Sequence, residues 1–442
     1  FIENSTQGFD AFQQCVERTD WATIEQASGV PRDFIVQMAD RYCAARTAVF
    51  GWTMGITHHT HGVANVQTIV NLALLRGMVG RPHCGLLPIR GHSNVQGIGS
   101  MGVSPRLKPV VVERLSTLLG VELPVEPGRD TLGCMQAADR GEMRTAICLG
   151  GNLYGSNPDA RFARRAVSKL DMIAYLSTTL NTGHARGRAR ETIVLPVLAR
   201  DEDCQHTTQE SMFNFVRLSD GGAPRHEGPR GELAIVADLA RRVLDSPTAL
   251  ARINWASLAD AANVRRLIAQ VIPGYAKIGE IDKTKLEFHV DGRTMHSPRF
   301  TTPSGKALFV THPIPDLPSD RNQLRLMSVR SEGQFNTVVY EEEDIYRGQD
   351  RRNVILMNQT DITRLGLQVD QRVTVRSTTG SLSNIHVRPF DIRAGNALMY
   401  YPEVNELVPA IADPLSKTPA FKSVPITIEP AMGTFKLAQA VP

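Results

Sequence analysis

Arg90 sits in the run Pro88-Ile89-Arg90-Gly91-His92, an apolar pair followed by a guanidinium, a glycine and an imidazole. A guanidinium with no acidic neighbour in sequence suits a carboxylate or phosphate, which its planar fork holds through two parallel hydrogen bonds. His92, two residues on, is the side chain best suited to moving a proton near neutral pH. Gly91, Gly97, Gly99 and Gly102 let the backbone turn tightly and approach a ligand closely. The same bias extends over 72 residues, Arg41 to Val112, which contain no aspartate or glutamate. At the chain's average of 45 acidic residues in 442, about seven would be expected there. The run instead carries Arg41, Arg46, Arg76, Arg81, Arg90, Arg106, Lys108 and five histidines. A carboxylate would repel a bound anion across a poorly screened pocket, so the ligand implied is a large anion, polyphosphorylated or carboxylated.

His58, His59 and His61 suggest a metal, but a zinc site needs a third and usually a fourth ligand. No carboxylate lies nearby in sequence, so these histidines are read as hydrogen-bonding an anionic or heterocyclic ligand, and no metal ligand is assigned. Gly150-Gly151-Asn152, after a strand pattern, lets backbone amides reach a phosphate or ribose. Such a loop is often only a turn; the basic loop carrying Arg186, Arg188 and Arg190 points it toward a dinucleotide-like ligand. The glycine pattern of nicotinamide sites, with its downstream acidic residue, is missing. SVRSEGQFNT, YYPEVNELVP and DPLSKTPAFK place polar groups at strand ends, where together they would form a lid over a large polar ligand. Glu341 to Asp344 reads as a solvated acidic loop.

The elements that must position these residues follow from periodicity. Residues 1 to about 45 read as helices, with Phe34, Ile35, Met38, Ala39 and Tyr42 at helical spacing after Pro31. Thr47–Trp52 reads as a strand and Val63–Met78 as a helix stopped by Gly77, Gly80 and Pro82. Further on, Ala146–Leu149, Met172–Leu176 and Thr192–Leu195 read as strands, with a helix from Pro158 to Leu170. Strands alternating with helices predict a doubly wound α/β, Rossmann-like arrangement. Ligands there lie beyond the carboxyl ends of the strands, where the GGNLYGSN and STTLNTG loops fall. From 246 to 316 the pattern weakens, apart from an expected hairpin in GRTMHSPRFTTPSGKALF. Beyond it, LRLMSV, NVILMN, RVTVRS, LSNIHVRP, NALMYYP and VPITIEP are short strands around one helix at TDITRLGL, which predicts a β-barrel.

Length and charge set bounds. At 442 residues the chain should hold two or three domains. A net charge of +4 and arginines without interleaved aromatics disfavour nucleic acid. No apolar run reaches the roughly 20 residues of a membrane span. Six scattered cysteines without a CxxC pair suit reduced thiols and a cytoplasmic location. Cys84 reads as small core packing. The start at Phe1 suggests a piece of a longer subunit.

The segment from Gly51 to Gly102, with PIRGHSNVQG at its centre, resembles the hallmark region of the formate dehydrogenase alpha subunit group of the molybdopterin oxidoreductases. ICLGGNLYGSNPD, TIVLP and LSKTPAFK fit the same group in matching order, so the likeness covers nearly the whole chain. The resemblance implies molybdenum or tungsten between two molybdopterin guanine dinucleotides and oxidation of formate to carbon dioxide. It also implies a 4Fe-4S cluster and the metal-ligating residue upstream of Phe1, and an electron-transfer partner subunit. Arg90 would then orient formate beside the metal, with His92 standing where relatives often have glutamine and assisting proton movement. Gly55 and His58 would lie in a loop that touches a pterin, and Gly91 would also bind the cofactor; relatives commonly have glutamine at the position of His58. Gly151, Asn152, Ser156, Thr178, Asn181 and Pro196 would hold a guanosine diphosphate arm. Arg330, Gly333, Gln334, Asn336, Asn405 and Lys422 would cover the cofactor from a double-psi type barrel. The domains expected are the end of a molybdopterin-binding domain at 1–92 and a guanine-dinucleotide-binding domain at 93–250. A connecting segment at 251–320 and the dinucleotide-binding barrel at 321–442 follow.

Overall fold

The structure is a computed structural model that describes residues 1–244, 253–291, 300–315 and 322–431. The unit that carries Arg90 is a strand–helix–strand. Val49–Trp52 and Gly85–Pro88 pair in parallel, Phe50 opposite Leu86 and Trp52 opposite Pro88. The connecting helix is Gly62–Leu75, which buries Asn71, Ala73 and Leu74. Apolar residues at i, i+3 and i+4 drive that packing. Leu74, Met78, Val79 and Phe309 share its core. Met78 lies outside the helix that periodicity extends to it, because the chain turns at Gly77, whose φ is +59°. The two loops leaving the parallel strands carry His58 and Arg90, so the topology brings both to one end of the pair.

A second parallel sheet has the order Thr145–Leu149, Met172–Ser177, Glu191–Pro196. The helix crossing between the first two of these strands spans Ala160–Ser168 rather than starting at Pro158. Asp159 caps it, accepting from the Phe162 amide at 3.0 Å. Ala160, Ala163, Ala166 and Val167 face Ile173 and Tyr175 in a core where small residues let helix and sheet approach closely. Within GGNLYGSN the residues Leu153–Ser156 form one helical turn.

An antiparallel sheet, Thr207–Glu210 with Phe215–Ser219 and Phe288–His289, has no counterpart in the expected elements. Its first strand, TTQE, is polar throughout, so no alternating apolar signal marks it. The helices Pro109–Leu119 and Ala261–Val271 pack on the sheet through Val111 and Val271, and Tyr275, beyond the second helix, joins the same core. Residues 292–299 of the expected hairpin lie outside the described residues. Its turn is present, Gly305 N bonding Thr302 O at 3.0 Å. The near arm, Ala307–Leu308, pairs in parallel with Thr6–Gln7.

The C-terminal strands close a six-stranded barrel in the order Leu324–Val329, Asn396–Tyr400, Val354–Met357, Ser381–Pro389, Arg372–Arg376, Val424–Pro430. Two neighbouring pairs are parallel, 324–329 with 396–400 and 354–357 with 381–389. Alternation puts Leu324, Leu326, Val373, Val375, Ile385 and Val387 inside. Truncating fully buried Leu326 to alanine would cost about 2–5 kcal/mol. The mixed α/β architecture with a terminal barrel is the one the pattern of elements predicts. Among the described residues no helix is long and apolar enough to cross a membrane.

One expectation is corrected. Glu341, Glu342 and Glu343 are exposed, but Asp344 is 1% exposed. It accepts from Tyr400 Oη and Arg347 Nη1, both at 2.7 Å, which anchors the loop after the first barrel strand. A buried guanidinium-and-hydroxyl partner set makes that carboxylate structural.

Candidate functional site

Arg90 is exposed and lines a cavity of about 260 Å³ with Gly91, His92, Gln96, Met212 and Phe213. Its Nη2 donates to Gln96 Oε1 at 3.3 Å, and among the described residues it makes no ion pair. The loop is fixed from behind. Asn94, at φ +63°, accepts from the Glu210 amide at 3.0 Å, and Ser100 Oγ donates to Glu210 Oε2 at 2.6 Å. Glu210, 3% exposed and bonded also to Tyr275 Oη, therefore ties the acid-free segment to the antiparallel sheet. Nothing in TTQE signals this role. A segment free of carboxylates in sequence is thus held by one from elsewhere in the chain.

Positive charge converges next to this cavity. The Lys422 amide donates to His58 O at 3.0 Å, and the His58 ring lies 5.3 Å from that of Phe421. Lys422 Nζ donates to Ser328 O. Burial, then nearby Arg330 and Arg347, lower the Lys422 ammonium to about 8. Burial, then Lys422 and Arg330, push His58 down to about 4. His92 is lowered by burial and by Arg330, and its ring meets Phe335 edge-on at 5.1 Å. Arg330 stacks over Tyr401, 5.3 Å from ring centre. Burial is the main cause of these shifts, and Arg330, with Lys422 and Arg347, adds a positive potential that a bound anion would relieve. His58, His92, Arg330 and Lys422, from two separate domains, are thus brought together.

His59 and His61 do not join them as a metal pair. Their rings stack at 5.1 Å and His59 Nε2 donates to Gly55 O at 3.0 Å. Among the described residues no group of three His, Cys, Asp or Glu side chains could hold a metal. Asp413, which no motif singles out, is 2% exposed; it accepts from the Val63 amide at 3.1 Å and from Leu415 and Ser416 in its own loop. It caps the helix after the histidines across the domain boundary. The Asp-Pro step in DPLSK is the available signal.

The second grouping lies at the ends of the three-stranded sheet. Gly150 and Gly151 both adopt positive φ, +67° and +71°, leaving open space where side chains would stand. Asn152 is 2% exposed. Its Oδ1 accepts from Gly155 N at 2.7 Å, and its Nδ2 reaches Thr182 Oγ1 at 2.8 Å and Thr337 O at 3.4 Å. Asn181 donates to Gly151 O at 3.0 Å, and Ser156 Oγ to Asn152 O at 2.7 Å. These side chains stitch the two loops to each other and to the barrel. Gln334 is similarly engaged, donating to Asn336 O and Tyr401 O at 2.7 and 2.8 Å. Asn336 and Gly333 sit at positive φ in that turn. Thr178 and Pro196 are exposed at the strand ends.

Between this grouping and the barrel runs a cleft of about 550 Å³ lined by Gly155, Arg164, Thr182, Arg186, Tyr340 and Asn405. Asn405 Nδ2 donates to Gly155 O at 2.8 Å, while its buried Oδ1 has no partner among the described residues. Arg164 and Arg186 also line an adjoining cavity of about 720 Å³ with Arg188 and Arg190. Among the described residues only Arg190 of these four is ion-paired, to Asp171 at 3.3 Å. Guanidiniums without carboxylate partners beside an orphaned amide oxygen fit a ligand with phosphates and a hydrogen-bond-donating base.

Residues 23–202 match the molybdopterin oxidoreductase family and residues 324–425 the "Molydopterin dinucleotide binding domain". Protein YdeP of Escherichia coli K12 is 32% identical across 98% of this chain, which spans 59% of that protein's length. Formate dehydrogenase H of the same organism is 25% identical across 97% of this chain and 62% of its own length. The fold matches that of acetylene hydratase from Pelobacter acetylenicus, with a TM-score of 0.68 and 13% identity over 97% of this chain and 67% of that one. The chain belongs to the molybdopterin oxidoreductase family, with the molybdopterin dinucleotide-binding domain as its C-terminal barrel.

Proposed function

We propose that the chain forms the dinucleotide-holding part of a molybdenum or tungsten enzyme that oxidises formate to carbon dioxide. The observation that carries the reading is Arg90, a guanidinium with no carboxylate partner among the described residues, at a cavity adjoining the cationic cluster. His58, Arg330 and Lys422 would hold pterin and phosphate charge of two molybdopterin guanine dinucleotides. Arg164, Arg186 and Asn405 would hold a guanosine diphosphate arm, on a frame set by Gly151, Asn152, Ser156, Asn181 and Gln334. Bound there, the cofactor supplies the two-electron redox chemistry. Arg90 pins the substrate carboxylate by two parallel hydrogen bonds. His92, two residues from Arg90, would take up the released proton, although burial, then Arg330, lowers its basicity. An iron–sulfur centre, an electron-accepting partner subunit and a cytoplasmic location belong to the same reading.

Its test is formate turnover by the full-length protein with Arg90→Ala and Arg90→Lys. Loss of a donor that steadies charge at the reacting group costs about 10²–10³-fold. Lysine would restore little, because it cannot form the fork. Unchanged turnover in both variants would remove Arg90 from the chemistry.

A further inference from the structure

We infer that Gln96 is a positioning residue for the substrate carboxylate: its neutral amide aims the Arg90 guanidinium and leaves that charge whole. The inference rests on the reading of Arg90 as the carboxylate anchor. Arg90 is exposed, and an arginine side chain free in water gives up much rotamer freedom when it binds a ligand. Among the described residues its one side-chain hydrogen bond runs from Nη2 to Gln96 Oε1, at 3.3 Å. Gln96 is half-buried, and among the described residues its side chain makes no other hydrogen bond. An amide oxygen takes one of the guanidinium's N–H donors and leaves a two-pronged edge for a carboxylate. The buried arginines of this chain are held differently. Asp282 grips Arg265 at 2.6 and 2.7 Å, and Glu403 grips Arg352 at 2.7 and 3.0 Å. A carboxylate placed likewise at Arg90 would fill the fork and cancel the charge that the substrate needs.

Gln96 is itself held in place. It lies on the helix Val95–Ser100, which is fastened at both ends to the strand Thr207–Glu210. Just before the helix, Asn94 Oδ1 accepts from the Glu210 amide at 3.0 Å; at its far end, Ser100 Oγ donates to Glu210 Oε2 at 2.6 Å. Gly97, next to Gln96, is buried, and a Cβ there would stand 2.0 Å from Asn94 Oδ1 and 3.2 Å from the Glu210 nitrogen. Helix and strand are therefore pressed together beside Gln96. Glu210 fixes the helix, the helix fixes Gln96, and Gln96 steadies the guanidinium.

The test compares Gln96→Glu with Gln96→Met in the full-length, cofactor-loaded protein. Glutamate keeps the shape of glutamine, so a side chain that merely packs would tolerate it better than methionine. A side chain that acts as a neutral acceptor gives the reverse order. Glutamate pairs with Arg90 and competes with formate, whereas methionine only removes a hydrogen bond. Gln96→Glu should raise the formate KM at least about tenfold and leave kcat within about threefold, because saturating formate displaces the internal carboxylate. Gln96→Met should raise KM about threefold. Formate titrated calorimetrically into the reduced protein, which cannot turn it over, should lose affinity in the same order. Thermal midpoints check the fold, and each variant is also judged against wild type, so that failure of one to fold leaves the other decisive. Formate affinity unchanged in either folded variant, methionine more harmful than glutamate, or a fall in kcat at unchanged KM overturns the inference while leaving Arg90's role intact. Affinity untouched by Arg90→Ala would instead sink the reading beneath it.

Discussion

Lys422 and His58 are joined by a backbone hydrogen bond of 3.0 Å, amide to carbonyl, although 364 positions (422 minus 58) separate them in sequence. That bond fastens the last loop of the barrel to the loop leaving the first parallel strand. The side chains of the two residues then share one electrostatic fate: burial drives both toward the neutral form, and Arg330 presses on both.

Two pH windows follow. His58 is held at about 4, below its ordinary 6.5. The unfolded chain therefore binds the proton first, and stability is lost as pH falls from about 6.5 to about 4. Lys422 is held at about 8, below 10.5. Here too the unfolded chain holds more protons, so ligand-free stability rises between about 8 and 10.5. Thermal midpoints against pH should flatten in the lower window for His58→Asn and in the upper for Lys422→Met. Slopes unchanged in both variants would contradict the cluster.

Asn405→Asp tests the seam between barrel and sheet. The carboxylate keeps the size but cannot donate to Gly155 O, leaving a buried carbonyl unpaired at a cost of about 1–3 kcal/mol. Reduced thermal stability is expected, together with weaker retention of guanine nucleotide. An unchanged midpoint would mean that the seam is not held there.

Gly183→Ala should disturb the paired strand-end loops. A Cβ would lie 2.4 Å from Asn152 Oδ1 and 2.9 Å from Asn181 Oδ1, and Asn152 has no room to retreat. Overpacking of this kind costs about 1–3 kcal/mol. Amide exchange should rise in residues 150–157 and 178–187; protection equal to wild type would contradict the tight packing.

Asp413→Ala removes the cap that the barrel lends to the helix Gly62–Leu75. A loss of about 0.5–2 kcal/mol is expected, and the substitution Asp413→Asn should keep most of the stability because an accepting oxygen remains. Equal effects of the two substitutions on the thermal midpoint would assign the loss to charge and not to capping.

How much of this is legible in sequence varies with the kind of signal. Barrel strands such as Arg372–Arg376 can be read because one face is apolar at period two, Val373 and Val375 against Arg372, Thr374 and Arg376. Arg90 stands out because its neighbours lack charge. The antiparallel sheet cannot be read, since Thr207–Glu210 is polar throughout and its burial depends on helices distant in the chain, Pro109–Leu119 and Ala261–Val271. Glu210 and Asp413 escape for a related reason: a carboxylate whose partners are backbone amides or hydroxyls in another domain looks like any surface acid. Motif likeness points to Asn152 and Gln334, yet their side chains are spent on holding loops, a distinction that only bond partners make.

The central claim is that barrel cations Arg330 and Lys422 meet His58 and His92 of the other domain to hold a pterin dinucleotide. The direct measurement is metal and released guanine nucleotide in the purified full-length protein, wild type and with Arg330→Met and Lys422→Met combined. The account predicts about two guanine nucleotides for each molybdenum or tungsten in the wild type, the redox chemistry being carried by the cofactor, and a large loss of both in the double variant. Folded wild-type protein from a cofactor-producing host that holds neither, or a double variant that retains both in full, would contradict it.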